Sequence, residues 1–191
     1  MQATHRMTQQ IEAALPNVLN SPQDYGLVQA IVIRPKEDER ESMAAAHFSP
    51  ELGVEGDRWV DSGQPRLPDG RPDPRSQVSL MNARLLKLLA GSEERMALAG
   101  DNLVVDLDLS ATNLPVGQRL AIGTVLLEIT DIPHTGCSKF AERFGPDATR
   151  FVNAREYKSL HLRGRYARVL RAGTVQVGDA VHKVMPEEAA P

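Results

Sequence analysis

The chain has 191 residues, 41% hydrophobic and 25% charged, with a formal net charge of −3. This is the composition of a soluble globular chain, long enough for one domain with extensions, and its slight negative charge gives no global basic field for nucleic acid or an anionic membrane. No apolar run approaches the roughly 20 residues of a membrane span, Met1 to Arg6 lacks the apolar core of a signal peptide, and a single cysteine without a possible internal disulfide fits a reducing cytoplasm.

Along the chain, Met7, Ile11, Ala14, Leu15, Val18 and Leu19 recur at helical spacing behind a cap at Thr8, with Pro16 expected to bend or split the helix. Residues 1–24 thus form an N-terminal helical extension. Leu27 to Ile33 is a nearly continuous β-branched run that ends before Pro35, the pattern of a buried strand. Lys36 to Glu41 is a mixed charge run, read as a solvated turn. From Pro50 to Pro74, five prolines and four glycines exclude a long helix or a central strand. Within this flap, Arg58, Arg66, Arg71 and Arg75 predict either a cradle for an anionic group or a solvated segment of structural turns.

Gln77 to Leu80 reads as a short strand, followed by an N-cap at Asn82, a helix over Ala83 to Leu89 and a stop at Gly91. A second short helical stretch precedes Gly100-Asp101-Asn102, whose turn feeds a strand from Leu103. Strand-turn-strand patterns with glycine corners follow over 114–130 and again over 173–181. Ala148 to Val152 and Arg155 to Leu162 look helical, and Tyr166 to Leu170 is a strand approached through Gly164. Residues 186–191 are a polar tail. Modest strands, Gly/Pro corners and a few inserted helices predict a mainly β chain, a β-barrel with several short peripheral helices. No G-x-G-x-x-G follows a strand, and no P-loop, G-x-S-x-G or H-E-x-x-H motif is present.

Cys137 follows the strand predicted over Val125 to Asp131. Pro133 and Gly136 turn the backbone out of that strand, and Ser138 to Phe144 reads as a short helix ended by Gly145-Pro146. The thiol is therefore expected at or just before a helix N-terminus. Orphan amides there, with His134, Lys139 and Arg143 close in sequence, favour the thiolate, which is both a nucleophile and a soft-metal ligand. The competing reading is a buried small hydrophobe; the loop between proline and glycine weighs toward chemistry. His134 and Cys137, with His47 or His161, offer a zinc alternative that requires those histidines to converge.

Five segments, in this order, resemble MOSC domains: Gly53-Val54-Glu55-Gly56-Asp57-Arg58, Arg75-Ser76-Gln77-Val78-Ser79-Leu80, Gly100-Asp101-Asn102-Leu103-Val104, Leu114 to Gly123, and Cys137. These domains are related to the C-terminal part of molybdenum cofactor sulfurase, to bacterial stand-alone proteins and to mitochondrial amidoxime reducers. The resemblance covers roughly residues 27–184 and implies a single MOSC-like β-barrel domain over 25–185. It also implies a pyranopterin molybdenum cofactor with Cys137 as thiolate ligand and as catalytic residue, and reduction of N-hydroxylated small molecules. Arg58, Arg75 and Lys139 are then expected at the phosphate or pterin, with Asp57 and Asn102 in polar contact. The chain has no haem, iron–sulfur or flavin motif, so an external electron-donor protein is expected.

Two positions depart from the family pattern. Gly100-Asp101-Asn102-Leu103 stands where Gly-Glu-Asn-Leu is frequent. His134-Thr135-Gly136 stands where a basic residue and proline are frequent, and His134 replaces that positive charge only when protonated. Two further readings stay open: a sulfur carrier that takes sulfur from a donor as a Cys137 persulfide, and a non-catalytic module that binds a small ligand.

Overall fold

The structure, a computed structural model, describes residues 5–185. Its strands are β1 (Gly26–Ile33), β2 (Glu41–Met43), β3 (Ala45–Ser49), β4 (Gly53–Val54), β5 (Val78–Asn82), β6 (Leu103–Asp106), β7 (Arg119–Ile122), β8 (Val125–Ile129), β9 (Arg165–Arg171), β10 (Gly173–Gln176) and β11 (Ala180–Val184). The helices are α1 (Thr8–Leu19), α2 (Trp59–Ser62), α3 (Ala83–Ala90), α4 (Glu93–Met96), α5 (Ser138–Phe144) and α6 (Pro146–Val152), with 3-10 turns at Pro74–Ser76, Ala97–Ala99 and Arg155–Leu160. None of these helices is long and apolar enough to cross a membrane.

Seven strands in the order β11-β7-β8-β9-β5-β6-β1 close into a barrel through the β1–β11 pairing, and β2 extends β1. Only β5 and β6 pair in parallel; the other barrel pairings are antiparallel. Val28, Ile31, Leu80, Leu103, Leu120, Leu127 and Val169 fill the interior. The alternate residues Met81 and Val104 face outward and pack beneath α1, α3, α5 and α6 with Ile11, Leu85, Leu89, Phe144 and Phe151. Covered on both faces, β5 reads as an unbroken buried run instead of an alternating one.

Asn82 caps α3 by accepting from the Leu85 amide at 3.0 Å, and Gly91 ends that helix at φ 74°, where a Cβ is disfavoured. Pro16 does not split α1, which runs through it, and the N-cap is Met7 instead of Thr8. The Thr8 amide donates instead to Asp147 Oδ2 at 3.0 Å, tying α1 to α6. The second strand-turn-strand segment also differs from expectation. β10 and β11 flank a turn but do not pair with each other: β10 joins β3 and β4 in a separate sheet, while β11 closes the barrel. Periodicity identifies a strand but carries no information about its partner. The polar tail lies outside the described residues.

Candidate functional site

Strand register gathers the chemistry at one barrel rim. Ile31 pairs with Leu103, Leu103 with Leu80, Leu80 with Arg165, and Ile129 with Ala167. The residues just past these ends, Arg34, Asp101, Asn102, His134 and Arg163, therefore share that rim, with Cys137 on the loop after β8.

Two buried polar clusters build it. In the first, Arg34 Nε and Nη2 donate to Asp57 Oδ2 and Oδ1, each at 2.8 Å, and the Arg34 and Trp59 amides also donate to that carboxylate at 2.9 Å. Burial lowers the pKa of Arg34, but the Asp57 hydrogen bonds and charge outweigh it and the net shift is upward. Asn102 is fully buried: its Oδ1 accepts from the Ser79 amide and hydroxyl, both at 3.1 Å, and its Nδ2 donates to Val32 O and Asp57 Oδ2. Asp57 and Asn102, expected in contact with a cofactor, are thus enclosed in bonds within the chain. They hold the segment that carries Arg58.

In the second cluster, Arg163 Nη1 donates to both Asp101 oxygens at 2.9 and 2.8 Å while its guanidinium lies over the Phe140 ring, 4.7 Å from the centroid. Burial pushes the Asp101 carboxyl above its ordinary value, against the lowering by Arg163. The His134 ring packs on Tyr166 with centroids 4.3 Å apart. Its Nδ1 is 3.7 Å from Asp101 Oδ1, too far for a hydrogen bond, and is buried without a partner. Burial, then the charges of Arg163 and Arg34, drive the His134 pKa well below 6.5. His134 is therefore neutral at pH 7 and does not replace the family's positive charge; a protonated ring here would be desolvated beside two guanidinium groups.

Cys137 is exposed and occupies the N-cap position of α5 in extended backbone. Its loop is pinned to α6 by Asn153, which accepts from the Gly136 amide at 2.8 Å and donates to the Gly136 carbonyl at 2.9 Å. The cations expected around the thiol are committed elsewhere. Lys139 Nζ is 2.9 Å from both Glu37 and Asp38, and Arg143 donates to Asp38 and to the Leu98 carbonyl. These hydrogen bonds raise the Lys139 pKa and lower those of Glu37 and Asp38. The charge run at 36–41 is thus more than a solvated turn. Arg75 is bound to Asp73 and Asp131, Arg71 to Asp69, and Arg66 to the Asp61 and Gly70 carbonyls, so these three arginines tie the flap together. Arg58 is half-exposed, and no hydrogen bond or ion pair engages its guanidinium among the described residues.

Among the described residues, no three His, Cys, Asp or Glu side chains gather to hold a metal ion, so the zinc set of His134, Cys137 and His47 or His161 does not form. One exposed soft sulfur suits instead a metal that arrives with most of its own ligands. The guanidinium of Arg58, which has no hydrogen bond among the described residues and whose charge helps lower the Glu37 pKa, and the buried unpaired Arg40 Nε are compatible with an anionic, hydrogen-bonding group at this rim. The residues present fit a pyranopterin molybdenum cofactor in those respects.

Arg34, Ser79, Arg163 and Tyr166 escape the sequence reading because each gains its role from register across the barrel. The one local signal was Arg163-Gly164-Arg165. Gly164, at φ 116°, lets the chain pass so close to β5 that a Cβ would lie 2.1 Å from the Leu80 carbonyl oxygen.

Known proteins carry the same architecture. The structure resembles a crystal structure titled only as a hypothetical protein (TM-score 0.58, 18% identity, covering 85% of this chain and 70% of that one). It also resembles the YUAD protein of Bacillus subtilis (0.57, 19%, 84% and 97%) and YiiM of Escherichia coli (0.52, 19%, 83% and 70%). At these identities the likeness shows the fold alone. No curated protein sequence matches the chain. The family model for the MOSC domain matches residues 73–182, more than half of the chain, from before β5 into β11 with the Cys137 loop inside it. The barrel and the thiol on its rim thus come with a sequence match of their own: the chain belongs to the MOSC domain family.

Proposed function

We propose that this protein holds a pyranopterin molybdenum cofactor through the Cys137 thiolate and reduces N-hydroxylated compounds with electrons from an external donor. The observation that supports the reading most is the exposed single thiol at a rim built of buried guanidinium groups. When bound, the cofactor supplies a centre able to pass two electrons to an N–O bond. The overall step consumes two electrons and two protons, breaks that bond and releases the oxygen as water.

The chain's own residues divide the remaining work. Arg58 meets the anionic part of the cofactor, while Arg75 and Lys139 face it from within their own carboxylate pairs. Asp57, Asn102 and Arg34 fix the backbone beneath Arg58. Asn153 sets where the thiol stands by holding the preceding peptide. Turnover of an N-hydroxylated amidine with a reduced viologen dye as artificial donor tests the reading: activity in the wild type and none in Cys137→Ala supports it, and equal activity in the variant rejects it.

The exposure of Cys137 also suits a second reading, in which the thiolate attacks the outer, sulfane sulfur of a persulfide donor, carries that sulfur as a Cys137 persulfide while the donor leaves as its thiolate, and hands it on. Persulfide labelling after incubation with a sulfur donor, in protein free of molybdenum, separates the two.

A further inference from the structure

The loop from Pro133 to Gly136 and the segment from Val152 to Arg163 line an open cavity of about 370 Å³. Arg155, Lys158 and Arg163 line it, and no lining residue is acidic. Arg155 and Lys158 are exposed, and neither side chain has a hydrogen bond or ion pair among the described residues. At the back of the cavity Arg163 is 6% exposed and keeps a buried Nε without a partner, as does His134 at Nδ1. Arg165, which lies close enough for its charge to act on His161, is 3% exposed and has an unpaired Nη1. A buried donor left unmet costs free energy, so the unmet guanidinium N–H groups of Arg163 and Arg165 behind two cations without counter-charges match what an oxyanion provides.

This cavity is tied to the thiol by the backbone. Gly136 lines it and immediately precedes Cys137, and Asn153, which holds Gly136 from both sides, lines it too.

We propose that this cavity is an oxyanion site that takes the phosphate or carboxylate group of a ligand whose other end reaches Cys137. The proposal rests on reading Cys137 as the reacting centre, and the oxyanion belongs to the substrate, the cofactor's anionic part being assigned to Arg58.

The test is titration with inorganic phosphate of protein prepared without cofactor, followed through backbone amide shifts. Expected are saturable shifts at His134 to Gly136 and Asn153 to Arg163. Affinity should fall about tenfold or more in the Arg155→Ala/Lys158→Ala double variant, as two charge-assisted contacts are lost, and stay unchanged in Lys87→Ala. Both substituted side chains are exposed, so the double variant keeps its fold. No saturable shift in the wild type, or equal affinity in the double variant, overturns the proposal. The cofactor-loaded double variant should keep wild-type molybdenum content, and loss of metal would give the cavity to the cofactor and overturn its assignment to the substrate. Cys137→Ala leaves phosphate affinity unchanged, so failure at the thiol and failure of the oxyanion site are read separately.

Discussion

Asn153 grips Gly136 from both sides, with Oδ1 accepting from the Gly136 amide at 2.8 Å and Nδ2 donating to the Gly136 carbonyl at 2.9 Å. Two side-chain bonds, one to each peptide flanking the Gly136 Cα, fix the residue before Cys137 although that segment belongs to no helix or strand. Removing them in Asn153→Ala loses two neutral hydrogen bonds worth about 0.5–1.5 kcal/mol each. Amide exchange at Gly136 should then rise roughly tenfold, and the Cys137 thiol should react faster with a disulfide reagent. Unchanged exchange would mean that the loop is held by other contacts.

Asp101 and Arg163 form a nearly solvent-free pair at the rim. Leaving either charge without the other costs about 3–5 kcal/mol, so Asp101→Ala and Arg163→Ala should each lower unfolding free energy by that order. The double variant should lose less than the sum, because neither charge is then stranded. Urea unfolding of the four proteins measures this directly.

The chain's approach to β5 at Gly164 leaves no room for a side chain. A Cβ there meets the Leu80 carbonyl oxygen at 2.1 Å, and φ of 116° is strained for any other residue. Gly164→Ala should destabilise the barrel by about 3 kcal/mol or more, since backbone strain and a steric clash add. A thermal midpoint within 2 °C of wild type, a roughly negligible change for a chain of this size, would contradict that.

Most of the barrel was legible because its strands announce themselves as β-branched or leucine-rich runs, as in Leu27 to Ile33 and Val125 to Ile129. The Asn82 cap and Gly91 stop were equally plain, since their chemistry is local. What stayed hidden was pairing. Residues 173–181 contain two strands and a turn, yet nothing in their spacing says that β10 leaves for β3 while β11 closes the barrel. The site was hidden for the same reason. Cys137 stood out as the single cysteine, whereas the neutrality of His134 follows from its burial and then from the charges of Arg163 and Arg34, all of which depend on the register of distant strands.

Two histidines should make the protein sensitive to mild acid. Burial, then the charges of Arg165 and Lys158, push His161 down to about 4, and His134 lies well below its ordinary value. In the unfolded chain both protonate near pH 6.5. Between about 6.5 and 4 the unfolded state therefore binds more protons, so the histidine contribution to stability is intact above pH 6.5 and is lost as pH falls through that window. His161 sits at φ 47°, which asparagine tolerates, so His161→Asn should keep the fold and flatten the fall in urea midpoint across this range. An unchanged slope would remove His161 from the account.

The proposed function stands on Cys137 as the protein's ligand to molybdenum. Elemental analysis by mass spectrometry, on wild type and Cys137→Ala purified from a host that makes the cofactor, tests it most directly. The account predicts near-stoichiometric molybdenum in the wild type and its loss in the variant. Molybdenum absent from both proteins, or retained in full by Cys137→Ala, would contradict it.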